Sequence, residues 1–109
     1  MGTKGKGAVV AAPDLDPVIH AASRLRLVAI LAALAPAEAI SFGKLLRIAE
    51  MTQGNLSTHL TKLEAAGYVR IDKTFEGKRP ATYLQLTPTG RLAFERYREN
   101  LQQLIRGSE

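Results

Sequence analysis

The sequence predicts an α+β fold, and three features carry that expectation. The first is a capped helix beginning at Thr52, in which Leu56, Leu60 and Leu63 recur at i, i+4 and i+7. At about 100° per residue these three share one stripe. The rest of that helix shows Gln53, Asn55, Ser57, Thr58, Thr61 and Lys62, small polar or amide side chains with almost no acid among them. The second feature is a hairpin pattern, two β-type runs around Glu76-Gly77-Lys78-Arg79-Pro80, with two cations at the tip. The third is a further helical pattern at each end of the chain. A polar helix followed by a basic hairpin is the layout of a winged helix-turn-helix, here with added N- and C-terminal helices for dimerisation.

Taken in order, Asp16-Pro17 opens the first helix. Asp16 suits the cap, and Pro17 fits the first helical position because its missing N–H has no partner there anyway. The helix is expected to run to about Leu34, ahead of Pro36. Its apolar positions (Val18, Ile19, Ala22, Leu25, Val28, Ala29, Leu31, Ala32) cover too wide an arc for one core-facing stripe. Either a second surface is buried against a partner or the helix crosses the centre of the domain. Residues 38–41 suit a short strand, with Ser41 capping a helix over 42–50 that buries Phe42, Leu45, Leu46 and Ala49. Met51-Thr52 is the turn before the reading helix, and Gly67 stands where a left-handed residue ends it. Strands are expected over 68–75 and 81–86, with Val69, Ile71, Leu84 and Leu86 facing the core. Thr87-Pro88 repeats the cap-then-proline signal for a last helix over 88–106, bearing Phe94, Tyr97, Leu101, Leu104 and Ile105 on one side.

At 109 residues the chain holds one core, placed in residues 15–109, with residues 1–14 read as a flexible tail carrying Lys4 and Lys6. Hydrophobic residues make up 46%, too many for a disordered chain. The net charge of +5 and the pI of about 9.9 favour a polyanionic partner. No cysteine is present, which removes disulfides, thiolate metal sites and cysteine catalysis, and is compatible with the expected cytoplasmic location. The apolar run in residues 8–12 is too short for a signal peptide. That in residues 27–36 is far below the roughly 20 residues of a membrane span, so no membrane partner is expected.

The segment Ser57-Thr58-His59-Leu60-Thr61-Lys62-Leu63-Glu64-Ala65-Ala66-Gly67-Tyr68-Val69 is similar to the recognition helix and following strand of MarR- and ArsR-type winged-helix repressors. Lys78-Arg79-Pro80 and Tyr83-Leu84-Gln85-Leu86-Thr87-Pro88-Thr89-Gly90 resemble their wing and the return into the last helix. The likeness covers residues 15–105 and is closest to short, stand-alone regulators. It implies a homodimeric transcriptional repressor. Two departures matter: the chain lacks the Cys or His–carboxylate clusters of ArsR-type metal sensors, and it is barely long enough for one extra helix at each end. No cofactor is expected, and the residues point to no small-molecule effector.

Thr52, Gln53, Asn55, Ser57, Thr58, Thr61 and Lys62 form the expected major-groove surface, because amides and hydroxyls match base-edge donors and acceptors and the groove admits a helix. A merely solvated helix face usually mixes Glu with Lys, and here neither occurs before Lys62. Lys78 and Arg79 are the expected wing contacts to phosphates or the minor groove. Lys44, Arg47, Arg70 and Lys73 suit phosphate contact and ordinary solvation equally. His59 lies beside the leucine stripe, where packing and phosphate contact are both open. His20 with Asp14 and Asp16 lacks a fourth metal ligand. Ser57 and His59, two apart on a helix, diverge and make no catalytic pair. The expected function is sequence-specific binding of double-stranded DNA rather than catalysis. A winged helix serving only as a protein-interaction module is the alternative, and it would carry an acidic or apolar face in place of this polar one.

Overall fold

The computed structural model describes residues 14–107. Four helices, α1 (Ala22–Ala32), α2 (Phe42–Ala49), α3 (Gln53–Ala65) and α4 (Pro88–Gly107), combine with three strands, β1 (Ile40–Ser41), β2 (Val69–Glu76) and β3 (Arg79–Leu86). The sheet is antiparallel in the order β1-β3-β2. This is an α+β winged helix. The proposed tail lies outside the described residues save for Asp14.

The leucine stripe of α3 explains how the layers meet. Leu56, Leu60 and Leu63 are buried together with Leu45 and Ala49 of α2, Leu27, Val28 and Leu31 of α1, and Val69, Leu84 and Leu86 of the sheet. Helix α1 packs against α2, α3, β3 and α4. Most of its wide apolar arc is therefore covered by several neighbours within one chain, as a helix crossing the centre requires, while Ala22 and Ala29 stay exposed. Ser41 caps α2, its Oγ accepting from Lys44 N–H at 3.2 Å, and Thr52 caps α3 in the same way from Asn55 N–H at 3.1 Å.

The first helix is shorter than its sequence signals suggest. Asp16 does accept from Val18 N–H at 2.9 Å, but it caps a single turn, after which Ala21 is extended (φ −132°, ψ 128°) and α1 begins at Ala22. Tertiary contacts divert the chain here. Ile19 is fully buried, His20 Nδ1 lies 2.8 Å from the Tyr97 hydroxyl, and Arg24 Nε donates to Val18 O at 2.6 Å. That last bond occupies the carbonyl a continuous helix would offer to Ala22 N–H. At its other end α1 receives the Arg91 guanidinium, which donates to Ala32 O at 3.2 Å.

The wing tip is also tighter than expected. The ladder continues out to Glu76↔Arg79, so Gly77-Lys78 alone make the turn, with Gly77 at φ 65°. Pro80 is tolerated inside β3 because β1 pairs only with Tyr83 and Leu84, leaving the other edge open beside Pro80.

One joint fixes the wing against the helices. Gly67 (φ 81°) ends α3, and Tyr68 N–H donates back to Leu63 O at 2.9 Å. Thr87 then donates through N–H to Tyr68 O at 2.9 Å and through Oγ1 to Gly67 O at 2.6 Å. Gly90 N–H donates to Thr87 Oγ1 at 2.9 Å, which caps α4. A Cβ at Gly90 would overlap the Tyr68 carbonyl and lie 2.9 Å from its Cα, so only glycine allows this approach.

Candidate nucleic-acid interface

Burial of the leucine stripe turns the opposite side of α3 outward. Thr52, Gln53, Asn55, Ser57, Thr58, Thr61 and Lys62 are all exposed. Two of these hydroxyls have local work: Thr52 holds the cap, and Thr61 Oγ1 donates to Ser57 O at 2.9 Å, leaving its oxygen as an acceptor. Among the described residues, the side chains of Gln53, Asn55, Ser57 and Thr58 make no hydrogen bond to another protein group, so their donors and acceptors face water.

His59 is half-buried, and its Nδ1 is enclosed without a hydrogen-bond partner. Burial lowers its pKa from the ordinary value, and the Arg24 and Lys62 charges add to the effect. The enclosed ring is a packing group beside the leucine stripe. That favours packing over phosphate contact.

The hairpin has two chemically distinct faces. Strand alternation puts Val69, Ile71, Lys73 and Phe75 of β2 on the inner face with Leu86, Leu84, Thr82 and Pro80 of β3. The outer face carries both acids of the wing, each engaged there. Arg70 Nε donates to Asp72 at 3.0 Å, and the Tyr83 hydroxyl donates to Glu76, a bond that raises the Tyr83 pKa. The inner face of the wing carries no acid. Between it and α3 runs a cleft of about 290 Å³, lined by Gln53, Ser57, Thr61, Lys73, Thr82 and Ile71 among others. Arg70 and Lys73, alike in sequence, are thus separated: Arg70 is paired on the far face while Lys73 faces the cleft. Lys78 and Arg79 are exposed at the tip, and Lys44 and Arg47 are exposed on α2.

Three residues beside this surface escaped the sequence reading. Arg26 of α1 is exposed and lines a depression with Glu50, Thr52 and Asn55, beside the start of α3. Its signal was a cation interrupting an apolar helix. Thr82 and Phe75 reach the inner wing face, which strand alternation alone could have assigned. His20, Asp14 and Asp16 are engaged otherwise: His20 with Tyr97, Asp16 with the turn amides and the Tyr68 hydroxyl, and the Asp14 carbonyl with Asn100 Nδ2 at 3.0 Å. The Asp16 carboxylate, with burial, pushes the Tyr68 phenol up to about 12. Among the described residues no cluster of three or more metal-ligating side chains occurs, and no helix is long and apolar enough to cross a membrane.

A family model described as a winged helix DNA-binding domain matches residues 24–105. The chain belongs to this winged helix DNA-binding family. A relative of this winged helix protein, an uncharacterized protein of Methanocaldococcus jannaschii, is 38% identical over 92 residues, covering 84% of the chain and 97% of that protein. Among solved structures, a transcriptional regulator homologue from Pyrococcus horikoshii OT3 superimposes with a TM-score of 0.74 at 26% identity, covering 84% of this chain and 88% of that one. A MarR-family transcriptional regulator from Silicibacter pomeroyi gives a TM-score of 0.61 at 26% identity, with 84% of this winged helix chain matching 58% of that longer one. The fold is shared with transcriptional regulators, and the chain is a DNA-binding regulator of the MarR-like kind.

Proposed function

We propose that the protein binds double-stranded DNA sequence-specifically near a promoter, as a cytoplasmic homodimer that represses transcription. The observation that carries this reading is the continuous surface from the first turns of α3 across the cleft to the inner wing face, free of acid between Glu50 and Glu64, with amides and hydroxyls at its centre and Lys62, Lys73 and Lys78 at its rim. Amides and hydroxyls suit base edges in the major groove, and the rim cations suit phosphates. Gln53, Asn55, Ser57, Thr58, Thr61 and Lys62 are assigned to the groove, Thr52 to the cap that orients them, and Lys78 and Arg79 to the backbone.

Dimerisation is assigned to α1 and α4. Near its C-terminal end α4 exposes Ile105 (58%), apolar surface that a two-fold contact would cover. Such a dimer would place two reading helices on half-sites roughly one helical turn apart. Repression rests on the likeness to MarR-type regulators. Selection from a random duplex library tests the reading directly: a palindromic motif with that spacing is expected, and recovery of no motif would refute it. Sedimentation at tens of micromolar tests the dimer, with Ile105→Glu expected to shift it toward monomer. A reporter fused to the selected site, repressed when the protein is expressed, tests the sign of regulation.

A further inference from the structure

We infer that Phe75 is an apolar wedge that enters the DNA minor groove beside the major-groove segment read by α3; this rests on the DNA-binding reading above. Phe75 is 69% exposed, the most exposed large hydrophobic side chain among the described residues. It stands in regular strand register opposite Pro80, and both lie on the inner face of the wing. Two apolar side chains therefore form a small platform, continuous through Lys73 and Thr82 with the cleft beside α3.

The charges around the platform select its occupant. Lys73 shares its face and Lys78 lies in the adjoining turn, while Asp72 and Glu76 are turned to the opposite face, where Arg79 stands opposite Glu76 and the two acids are bonded to Arg70 and Tyr83. An apolar pair framed by cations and cleared of acids fits a polyanion with apolar walls, which describes the sugars and base edges of the minor groove. Reach agrees. Four residues of strand carry Phe75 about 13 Å beyond Ile71, where the core ends. A major groove is about 12 Å wide, so a wing projecting that far beside a seated α3 spans a distance comparable to the groove it flanks. Phe and Pro are among the side chains that wedge between base steps there and kink the duplex.

The test uses the full chain and a duplex selected with the wild-type protein, carrying 2-aminopurine at successive steps flanking the motif. Wild type is expected to raise the fluorescence at one flanking step as its bases unstack. Phe75→Ala is expected to abolish that rise and to weaken binding roughly fivefold to a hundredfold, the range seen when a stacking aromatic is removed. The dependence of affinity on salt should stay unchanged, since every phosphate partner is kept, and Phe75→Leu should keep part of the fluorescence response. Thermal unfolding of Phe75→Ala should match wild type, because the side chain is exposed. Equal affinity and equal fluorescence for wild type and Phe75→Ala would overturn the wedge while leaving the DNA reading intact. Loss of self-association without DNA in Phe75→Ala, with the fluorescence rise preserved, would assign the platform to a second copy of the chain and overturn it too. A wild-type protein that selects no motif would overturn the DNA reading itself.

Discussion

Helix α3 and the β2–β3 hairpin stand side by side, yet they present their polar groups in opposite ways. The helix offers neutral amides and hydroxyls set close to a rigid backbone, with Lys62 the single cation among its outward-facing candidates. The wing offers cations on long side chains at the end of a projecting ladder. Short neutral groups on a packed helix suit hydrogen bonds whose geometry depends on the base. Long cations on a hairpin suit phosphates, which are the same at every step. Specificity and affinity are thus separated between two elements, and each can be perturbed alone.

The largest effect is expected where the two elements are held at a fixed distance. Gly90→Ala forces a methyl into the Tyr68 backbone at the joint between α3, β2 and α4, and should destabilise the fold by about 1–3 kcal/mol as overpacking does. Denaturant unfolding would show a lowered midpoint, and an unchanged midpoint would mean that the joint yields freely. Asn55→Ala or Thr58→Ala, by removing a hydrogen-bonding group from a base edge, should each cost about 1–3 kcal/mol on the selected site, with binding to random DNA nearly unchanged. Equal losses on both would remove the distinction between helix and wing.

Replacing Lys78 and Arg79 together by alanine should do the reverse. The slope of log affinity against log salt should become shallower by about 0.9 for every phosphate no longer neutralised, or about 3.6 for two residues in a dimer. Stability should change by less than about 0.5 kcal/mol, since both side chains are exposed. An unchanged slope in the folded double mutant would reduce the wing tip to ordinary surface charge.

The smallest effect concerns the neutrality of α3 itself. The folded pKa of His59 is lowered, chiefly by burial, so the unfolded chain binds this proton more readily than the folded one. The resulting stability is fully present above the ordinary value near 6.5 and declines as pH falls through it toward the lowered value. His59→Gln should flatten this part of the stability–pH profile. A profile identical to wild type would show that His59 does not titrate differently in the two states.

The reading surface was legible because its signals are local and act in concert. Thr52 precedes a leucine stripe, the stripe fixes which side is buried, and the remaining residues are left outward. Gly67 and the alternation of Val69, Ile71, Leu84 and Leu86 set the start of the wing in the same way. Local signals failed where a distant partner competed. Asp16-Pro17 looks like the opening of a helix, yet the distant Tyr97 draws His20 aside and the nearby Arg24 takes the Val18 carbonyl, so the helix starts at Ala22. At the wing tip, Gly77 with two cations and a proline reads as a loop, but the ladder runs on to Glu76↔Arg79.

The sequence by itself determined the order of elements, the buried stripe of α3 and the polar residues opposite it, since a helical period and a capping hydroxyl need no distant partner. Only the tertiary structure decided that α1 crosses the centre of one chain, that α3 and the inner wing face enclose a cleft, and that Gly90 must be glycine. These outcomes depend on which element lies against which. A cleft between two elements and a backbone in close approach are properties of packed neighbours, and no local pattern carries them.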